Sequence, residues 1–127
     1  MSQNSFLLIG YSKIARKRIV NTFLKKKLDF SVASKSFTKK IKVSKKQFKN
    51  YDDALLNSDA NIVYISLPNS MHFFWAKKAL LLGYHVIIDK PICHKLSETR
   101  KLISLAKKKE NYFRKQFFLI IMTKLSE

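Results

Sequence analysis

Two spacings of hydrophobic residues alternate along the chain. Short, nearly continuous apolar runs are typical of strands buried on both faces of a parallel sheet. Between these runs, apolar residues recur every three or four positions, which is the spacing of one helix face. The predicted strands are residues 5–9, 29–34, 37–44, 61–67 and 85–89, and the predicted helices are residues 11–27, 51–58, 69–82 and 97–109. Strands that alternate with helices predict an α/β fold: a doubly wound, mostly parallel sheet with helices on both faces.

Polar residues and glycine mark the ends of the last two predicted helices. Asn69 can cap the third helix, Gly83 can end it, and Ser97 can cap the fourth. The inner face of the fourth helix is predicted to be Leu102, Ile103, Leu105 and Ala106.

The length of the chain bounds the number of domains. A chain of 127 residues, 46% of them hydrophobic, suffices for one globular domain with a core and is too short for two. Its one cysteine, Cys93, cannot form an internal disulfide and has no metal-ligand spacing with His85 or His94. The first residues lack the basic start of a signal peptide, and no apolar run approaches the length of a membrane span. We therefore expect a cytoplasmic protein with a reduced thiol, no metal and no membrane contact.

The net charge of +18 raises the question of a nucleic-acid partner. Lysine supplies 22 of the 26 basic residues and arginine only 4, whereas recognition of base edges favours the planar guanidinium group. The lysines are also spread along the whole chain. A solvated basic surface is therefore preferred to a dedicated nucleic-acid face.

In a sheet of this kind, ligands bind at the carboxyl ends of the strands. The first strand ends in the turn GYSKIA, in which Gly10, Ser12 and Ala15 occupy the small positions of a G-x-G-x-x-G/A phosphate-binding turn. Ser12 replaces the glycine that lets a pyrophosphate approach the backbone. The motif alone also fits a tight turn without a ligand, but its position before the first helix favours phosphate binding, with Lys13 and Ile14 in the turn.

Candidate cofactor-binding residues also lie at the carboxyl ends of two further strands, the second and the fourth. An acid that binds the ribose of NAD is expected after the second strand, but the chain has Ser34, Lys35 and Ser36 there. Two hydroxyls and an ammonium suit a 2′-phosphate, so NADP is favoured over NAD. After the fourth strand come Leu67, Pro68 and Asn69, and then His72 one turn into the next helix. Asn69 can either cap that helix or bind the nicotinamide ribose.

The segment from Tyr64 to Ile92, YISLPNSMHFFWAKKALLLGYHVIIDKPI, resembles the Gfo/Idh/MocA family of oxidoreductases. The family pattern is a strand, a T/S-x-P-N-x-x-H turn, a helix that ends A-L-x-x-G, and then H-V, apolar residues and E-K-P. The resemblance extends from about Phe6 to about Lys109 and implies a Rossmann-like fold. It also implies cofactor contacts from all the residues named at the three strand ends and from Asp89, Lys90 and Pro91.

Lys90 is the residue that the resemblance implies is catalytic. Pro91 restricts the conformation of the residue before it, which directs the lysine amine into the cleft at the strand end. Asp89 replaces the glutamate of the family pattern and is one methylene shorter. The implied reaction is hydride transfer between a nicotinamide and a carbon that bears a hydroxyl, usually on a sugar or polyol. Lys90 would assist the proton transfer.

Residues 110–127 depart from the family pattern, which continues with another strand and then a substrate-binding domain. Two interpretations compete: a genuine basic, amphipathic tail, and the product of a slipped reading frame, which the codons permitted for residues 113–124 favour. The predicted organisation is an NAD(P)-binding domain over residues 1–109, an atypical tail over residues 110–127 and no substrate domain.

Three functions follow from these observations. The preferred one is the NAD(P)-binding half of an oxidoreductase that is incomplete for catalysis alone. The others are a non-catalytic dinucleotide-binding or scaffold module and a basic nucleic-acid-binding domain. The expected partners are the dinucleotide and, if a second domain completes the site, a small sugar or polyol.

Overall fold

The computed structural model describes residues 4–13, 15–35, 45–89, 95–113 and 119–122. Within this part of the chain, one parallel sheet of six strands forms in the order β3-β2-β1-β4-β5-β6. The strands are β1 (Ser5–Ile9), β2 (Asp29–Ala33), β3 (Gln47–Phe48), β4 (Ile62–Ile65), β5 (His85–Asp89) and β6 (Leu119–Met122). The strand order reverses direction at β1, so the chain winds outward from the centre in both directions. The predicted doubly wound α/β fold is confirmed.

The helices connect these strands. A π-helical segment, Ala15–Val20, leads directly into helix α1 (Asn21–Lys25). The others are α2 (Tyr51–Asn57), α3 (Asn69–Leu81) and α4 (Leu96–Phe113).

Two apolar clusters cover the two faces of the sheet. Along β1, Leu7 and Ile9 point to one face and Leu8 to the other, as the alternation of a strand requires. The first face packs against α2, α3 and α4, and the second packs against the π-helical segment and α1. Because both faces of the central strands are buried, their sequences are continuous apolar runs.

The ends of α3 confirm one prediction and correct another. Gly83, with a φ of +93°, follows the helix, and the N–H groups of Gly83 and Tyr84 donate to the carbonyls of Leu80 and Ala79 at 3.0 Å. This is a Schellman motif, so Gly83 ends the helix as predicted. The prediction that Asn69 caps α3 is wrong, because Asn69 is its first helical residue and the N-cap, Pro68, makes no side-chain cap hydrogen bond. Proline's missing N–H costs nothing at this position, since the first N–H groups of a helix have no partner within it.

Helix α4 differs from its prediction in three respects. It begins at Leu96, so Ser97 lies inside the first turn. Ile103, predicted to face the core, is 53% exposed, whereas Leu102 is fully buried. The helix also continues past its predicted end, Lys109, to Phe113.

The segment after α4 contributes to the sheet. Strand β6 pairs with β5 in parallel register, with Leu119 opposite Val86 and Met122 opposite Asp89. Residues 119–122 therefore extend the same sheet, and the apolar run that the sequence shows here is a strand. The slipped reading frame for residues 110–127 stays a prediction.

The structure describes a strand that the sequence analysis does not predict. Its two residues, Gln47–Phe48, pair with Val32 and Ala33 of β2. The predicted span of residues 37–44 lies outside the described residues. Within the described part of the chain, no helix is both long and apolar enough to cross a membrane.

Candidate functional site

The register of the central strands brings four chain segments to one edge of the sheet. Ile9, the last residue of β1, is opposite Ala33 of β2 and Ile65 of β4, and Ile65 is opposite Ile88 of β5. All four strands are parallel, so their last residues lie at the same edge. The β1 turn, the end of β2 and the β4–α3 loop are therefore neighbours.

Gly10 is fixed by the close approach of the β4 end. Its φ is +97°, and a Cβ placed on it would lie 2.2 Å from the backbone oxygen of Ser66. The Gly10 N–H donates to the Ala33 carbonyl at 2.9 Å, and the Ser66 N–H donates to the Ile9 carbonyl at 2.8 Å. Gly10 thus allows the first bend of the turn and also lets the β4–α3 loop pack directly against it.

Ser12 caps the helix that follows this turn. Its Oγ accepts a hydrogen bond from the Ala15 N–H at 3.1 Å, and its carbonyl accepts from the Arg16 N–H at 2.9 Å. Its Oγ also lies 3.3 Å from the Oγ of Ser66. Where the turn motif has a glycine, this chain therefore has a serine that stabilises the helix start.

The exposed groups at this helix start suit an anion. Ser12 and Lys13 are exposed, and the positive end of the helix dipole lies beside them. A hydroxyl, an ammonium and a helix N-terminus are the donors that a pyrophosphate requires. Ala15 is fully buried and allows close packing of helix on sheet; Ile14, also predicted to contact the cofactor, lies outside the described residues.

The cap of Ser12 leads to a stability prediction. Ser12→Ala is expected to lower the free energy of unfolding by about 1 kcal/mol, because the Ala15 N–H loses its acceptor. Ser12→Gly is expected to cost only a few tenths of a kcal/mol, since glycine is itself a tolerated N-cap residue. Urea unfolding of the two variants checks this, and equal losses would contradict the capping role.

At the end of β2, the three predicted ribose contacts differ in accessibility. Ser34 is only 4% exposed, and its N–H donates to the Phe48 carbonyl at 3.0 Å. Lys35 is exposed, and its Nζ lies 5.2 Å from the centre of the Tyr51 ring. Burial raises the pKa of Tyr51, while a hydrogen bond from the Lys35 backbone opposes that rise. Lys35 is therefore the group of this strand end that can reach a ligand; Ser36 lies outside the described residues.

The loop between β4 and α3, residues 66–68, is supported from its buried side by His72 of α3. His72 is 1% exposed, and its Nε2 lies 2.7 Å from the Leu67 carbonyl oxygen. Because a carbonyl only accepts, Nε2 carries the proton and donates it. Pro68 is exposed and Asn69 is half-buried at the surface of the loop. His72 thus acts through Leu67, and the loop residues themselves are the ones open to a ligand.

Ser66 is a site residue that the sequence analysis did not identify. It contacts Gly10 through its backbone and Ser12 through its hydroxyl. Ser66 therefore connects the carboxyl end of β1 with that of β4. The signal was its place at the carboxyl end of the strand predicted over residues 61–67, where ligands bind in such sheets. Of the remaining predicted residues, Asp89 ends β5, but its side chain and the whole of Lys90 and Pro91 lie outside the described residues.

A parallel sheet with this strand order, and a Gly10–Ser12 turn at the point where the order reverses, define the class of Rossmann-type nucleotide-binding domains. Residues 5–117 match the family model GFO_IDH_MocA, described as an oxidoreductase family with an NAD-binding Rossmann fold. The chain belongs to this family of oxidoreductases, and the resemblance found in the sequence is confirmed.

The proteins to which the chain is similar include a sugar-nucleotide reductase and solved oxidoreductases. A dTDP-3,4-didehydro-2,6-dideoxy-alpha-D-glucose 3-reductase from Streptomyces violaceoruber is 37% identical over 67 residues, which cover 49% of this chain and 20% of that protein. KijD10, a 3-ketoreductase from Actinomadura kijaniata solved with NADP and TDP-benzene, has a TM-score of 0.74 and 25% identity over 85% of this chain and 35% of its own. The WlbA dehydrogenase from Bordetella pertussis, solved with NADH and UDP-GlcNAcA, has a TM-score of 0.75 and 14% identity over 85% of this chain and 36% of its own. The chain therefore spans about a third of the two solved proteins and about a fifth of the Streptomyces reductase.

Proposed function

We propose that the chain is the NAD(P)-binding half of an oxidoreductase that acts on CH–OH groups of a sugar or polyol. The observation that carries the proposal is the joining of the Gly10 turn and the β4–α3 loop through Ser66, which forms one continuous ligand edge. The names of the relatives support a sugar substrate, because they include a sugar-nucleotide reductase and a dehydrogenase solved with UDP-GlcNAcA.

The proposal gives each strand end one part of the dinucleotide. The pyrophosphate lies on the turn from Gly10 to Ala15, where Ser12 and Lys13 are exposed. The adenosine ribose lies at the end of β2, next to Lys35. The nicotinamide side lies on Leu67 and Pro68 of the β4–α3 loop, which His72 supports, and on Asn69 at the start of α3.

The chemistry of the reaction divides between the cofactor and the chain. When bound, the nicotinamide supplies the site of hydride transfer. Lys90, which follows the last residue of β5 in sequence, contacts the substrate and assists the loss of the proton from its hydroxyl, and Asp89 orients the lysine. We propose that further substrate-binding groups come from a second domain, so this chain alone is incomplete for catalysis.

The proposed preference for NADP depends on Lys35. Lys35→Glu is expected to lower the ratio of NADPH affinity to NADH affinity by about tenfold or more, because a carboxylate repels the 2′-phosphate where an ammonium binds it. Lys25→Glu changes the charge equally at the end of α1, on another part of the surface, and should leave the ratio unchanged. Calorimetric titration of both cofactors checks this. Equal ratios in the two variants would contradict a role for Lys35.

Titration with NADPH, followed by nicotinamide fluorescence, tests the function itself. The proposal predicts saturable binding and no turnover of polyols by this chain alone. Turnover would contradict the proposed incompleteness. Absence of binding, together with a salt-sensitive shift of DNA mobility, would instead favour a nucleic-acid-binding domain.

A further inference from the structure

A groove runs between helices α3 and α4, which pack on the same face of the sheet. Its volume is about 390 Å³, which lies in the range of small-molecule pockets. None of its lining residues belongs to the strand ends that form the dinucleotide edge. The residues that line it are Phe73, Lys77, Arg100, Lys101, Leu102, Ser104, Leu105 and Lys108.

Four of these residues are exposed cations: Lys77, Arg100, Lys101 and Lys108. Among the residues that the structure describes, no carboxylate lines the groove. Over the stretches of chain that the structure describes, none of the four forms an ion pair, and the nearby Glu110 lies 3.9 Å from Lys107, which is not a lining residue. Like charges held close together repel one another, so an anion bound here would relieve that repulsion.

The floor of the groove is apolar. Phe73 and Leu105 are half-buried and packed on the main core cluster, and Leu102 beneath them is fully buried. The Nζ of Lys77 lies 5.9 Å from the centre of the Phe73 ring, which places a cation at the border between floor and rim. An occupant must therefore offer an apolar body to the floor and negative charge to the rim.

We propose that this groove binds a small organic anion that has a flat apolar body and two or more negative charges. The bounded volume favours a small molecule over a nucleic acid, whose backbone tracks a longer basic surface. Because cations from both helices line the groove, a ligand with several negatively charged groups is favoured over a ligand with a single carboxylate. This site is independent of the proposed dinucleotide site.

The test uses 8-hydroxypyrene-1,3,6-trisulfonate, a flat aromatic trianion, and fluorescence polarisation at constant pH and salt. The triple variant Lys77→Gln, Arg100→Gln, Lys101→Gln should weaken binding at least about tenfold. The control triple Lys17→Gln, Lys25→Gln, Lys26→Gln removes the same charge from exposed positions on the other face of the sheet. It should change the affinity by less than about twofold, as expected for remote, screened charges.

Three results would overturn the proposal. They are the absence of saturable binding by folded protein, equal losses in the two triple variants, and displacement of the dye by NADPH, which would place the dye at the dinucleotide edge. Circular dichroism of each variant establishes that it is folded. Inorganic tripolyphosphate should compete more weakly than the dye, because it has no apolar body for Phe73; stronger competition would count against the apolar floor.

Discussion

Gly10→Ala is expected to lower the free energy of unfolding by about 3 kcal/mol or more, from backbone strain and steric overlap together. The φ of +97° is unfavourable for any residue with a Cβ, and the new methyl would lie 2.2 Å from the Ser66 backbone oxygen. Gly10 and Ser66 directly follow two central strands and are held by backbone hydrogen bonds to the sheet, so neither can move without breaking the contact of the β1 turn with the β4–α3 loop. The same shift should abolish NADPH binding.

Gly83→Ala is the matched control. Gly83 has a nearly identical φ of +93°, but a Cβ there meets nothing within 4 Å. The control variant therefore pays only for the backbone conformation, about 1 kcal/mol, and should bind NADPH normally. Urea unfolding measures both variants. Equal losses would show that the close approach to Ser66 does not matter.

His72→Ala is expected to have the second largest effect. The side chain is 1% exposed, so its removal leaves a cavity, and the Leu67 carbonyl loses a donor at 2.7 Å. We expect a loss of about 3 kcal/mol in the free energy of unfolding. Because the bond to Leu67 supports the loop proposed to hold the nicotinamide, NADPH affinity of the folded fraction should also fall by about tenfold.

Two further variants show whether His72 positions the β4–α3 loop for NADPH or only stabilises the fold. Leu80→Ala removes a fully buried side chain near the other end of α3 and should destabilise the fold by a similar amount, about 3 kcal/mol. It should leave NADPH affinity of the folded fraction unchanged. His72→Gln keeps a donor and should recover part of the affinity. If Leu80→Ala weakens binding as much as His72→Ala, then His72 serves stability alone.

Local sequence patterns were sufficient to predict the central fold. The strand over residues 62–65 was recognised because β-branched and apolar residues follow one another, and Gly83 was recognised because helix ends demand a residue that tolerates positive φ. The family resemblance extended this to the whole Rossmann domain, which the family match confirms.

The features that the sequence did not predict depend on contacts between distant segments. Ser66 lies 54 residues after Ser12, and nothing local indicates that their hydroxyls are neighbours. Likewise, His72 was predicted at the nicotinamide side, but only the packing of α3 on the sheet shows that it is buried and acts through Leu67. Ile103 follows the helical spacing of its neighbours, yet its side chain is exposed. A surface helix such as α4 buries only a narrow stripe of residues, and this stripe contains Leu102 and Ala106 but not Ile103.

Amide chemical shifts of labelled protein, recorded during a titration with NADPH, test the central claim most directly. The account predicts saturable changes that are largest at Gly10, Ser12, Lys35 and Ser66, which belong to three different strand ends of one edge. Changes confined to the groove between α3 and α4, or no saturable change in folded protein, would contradict a dinucleotide site at the carboxyl edge of the sheet.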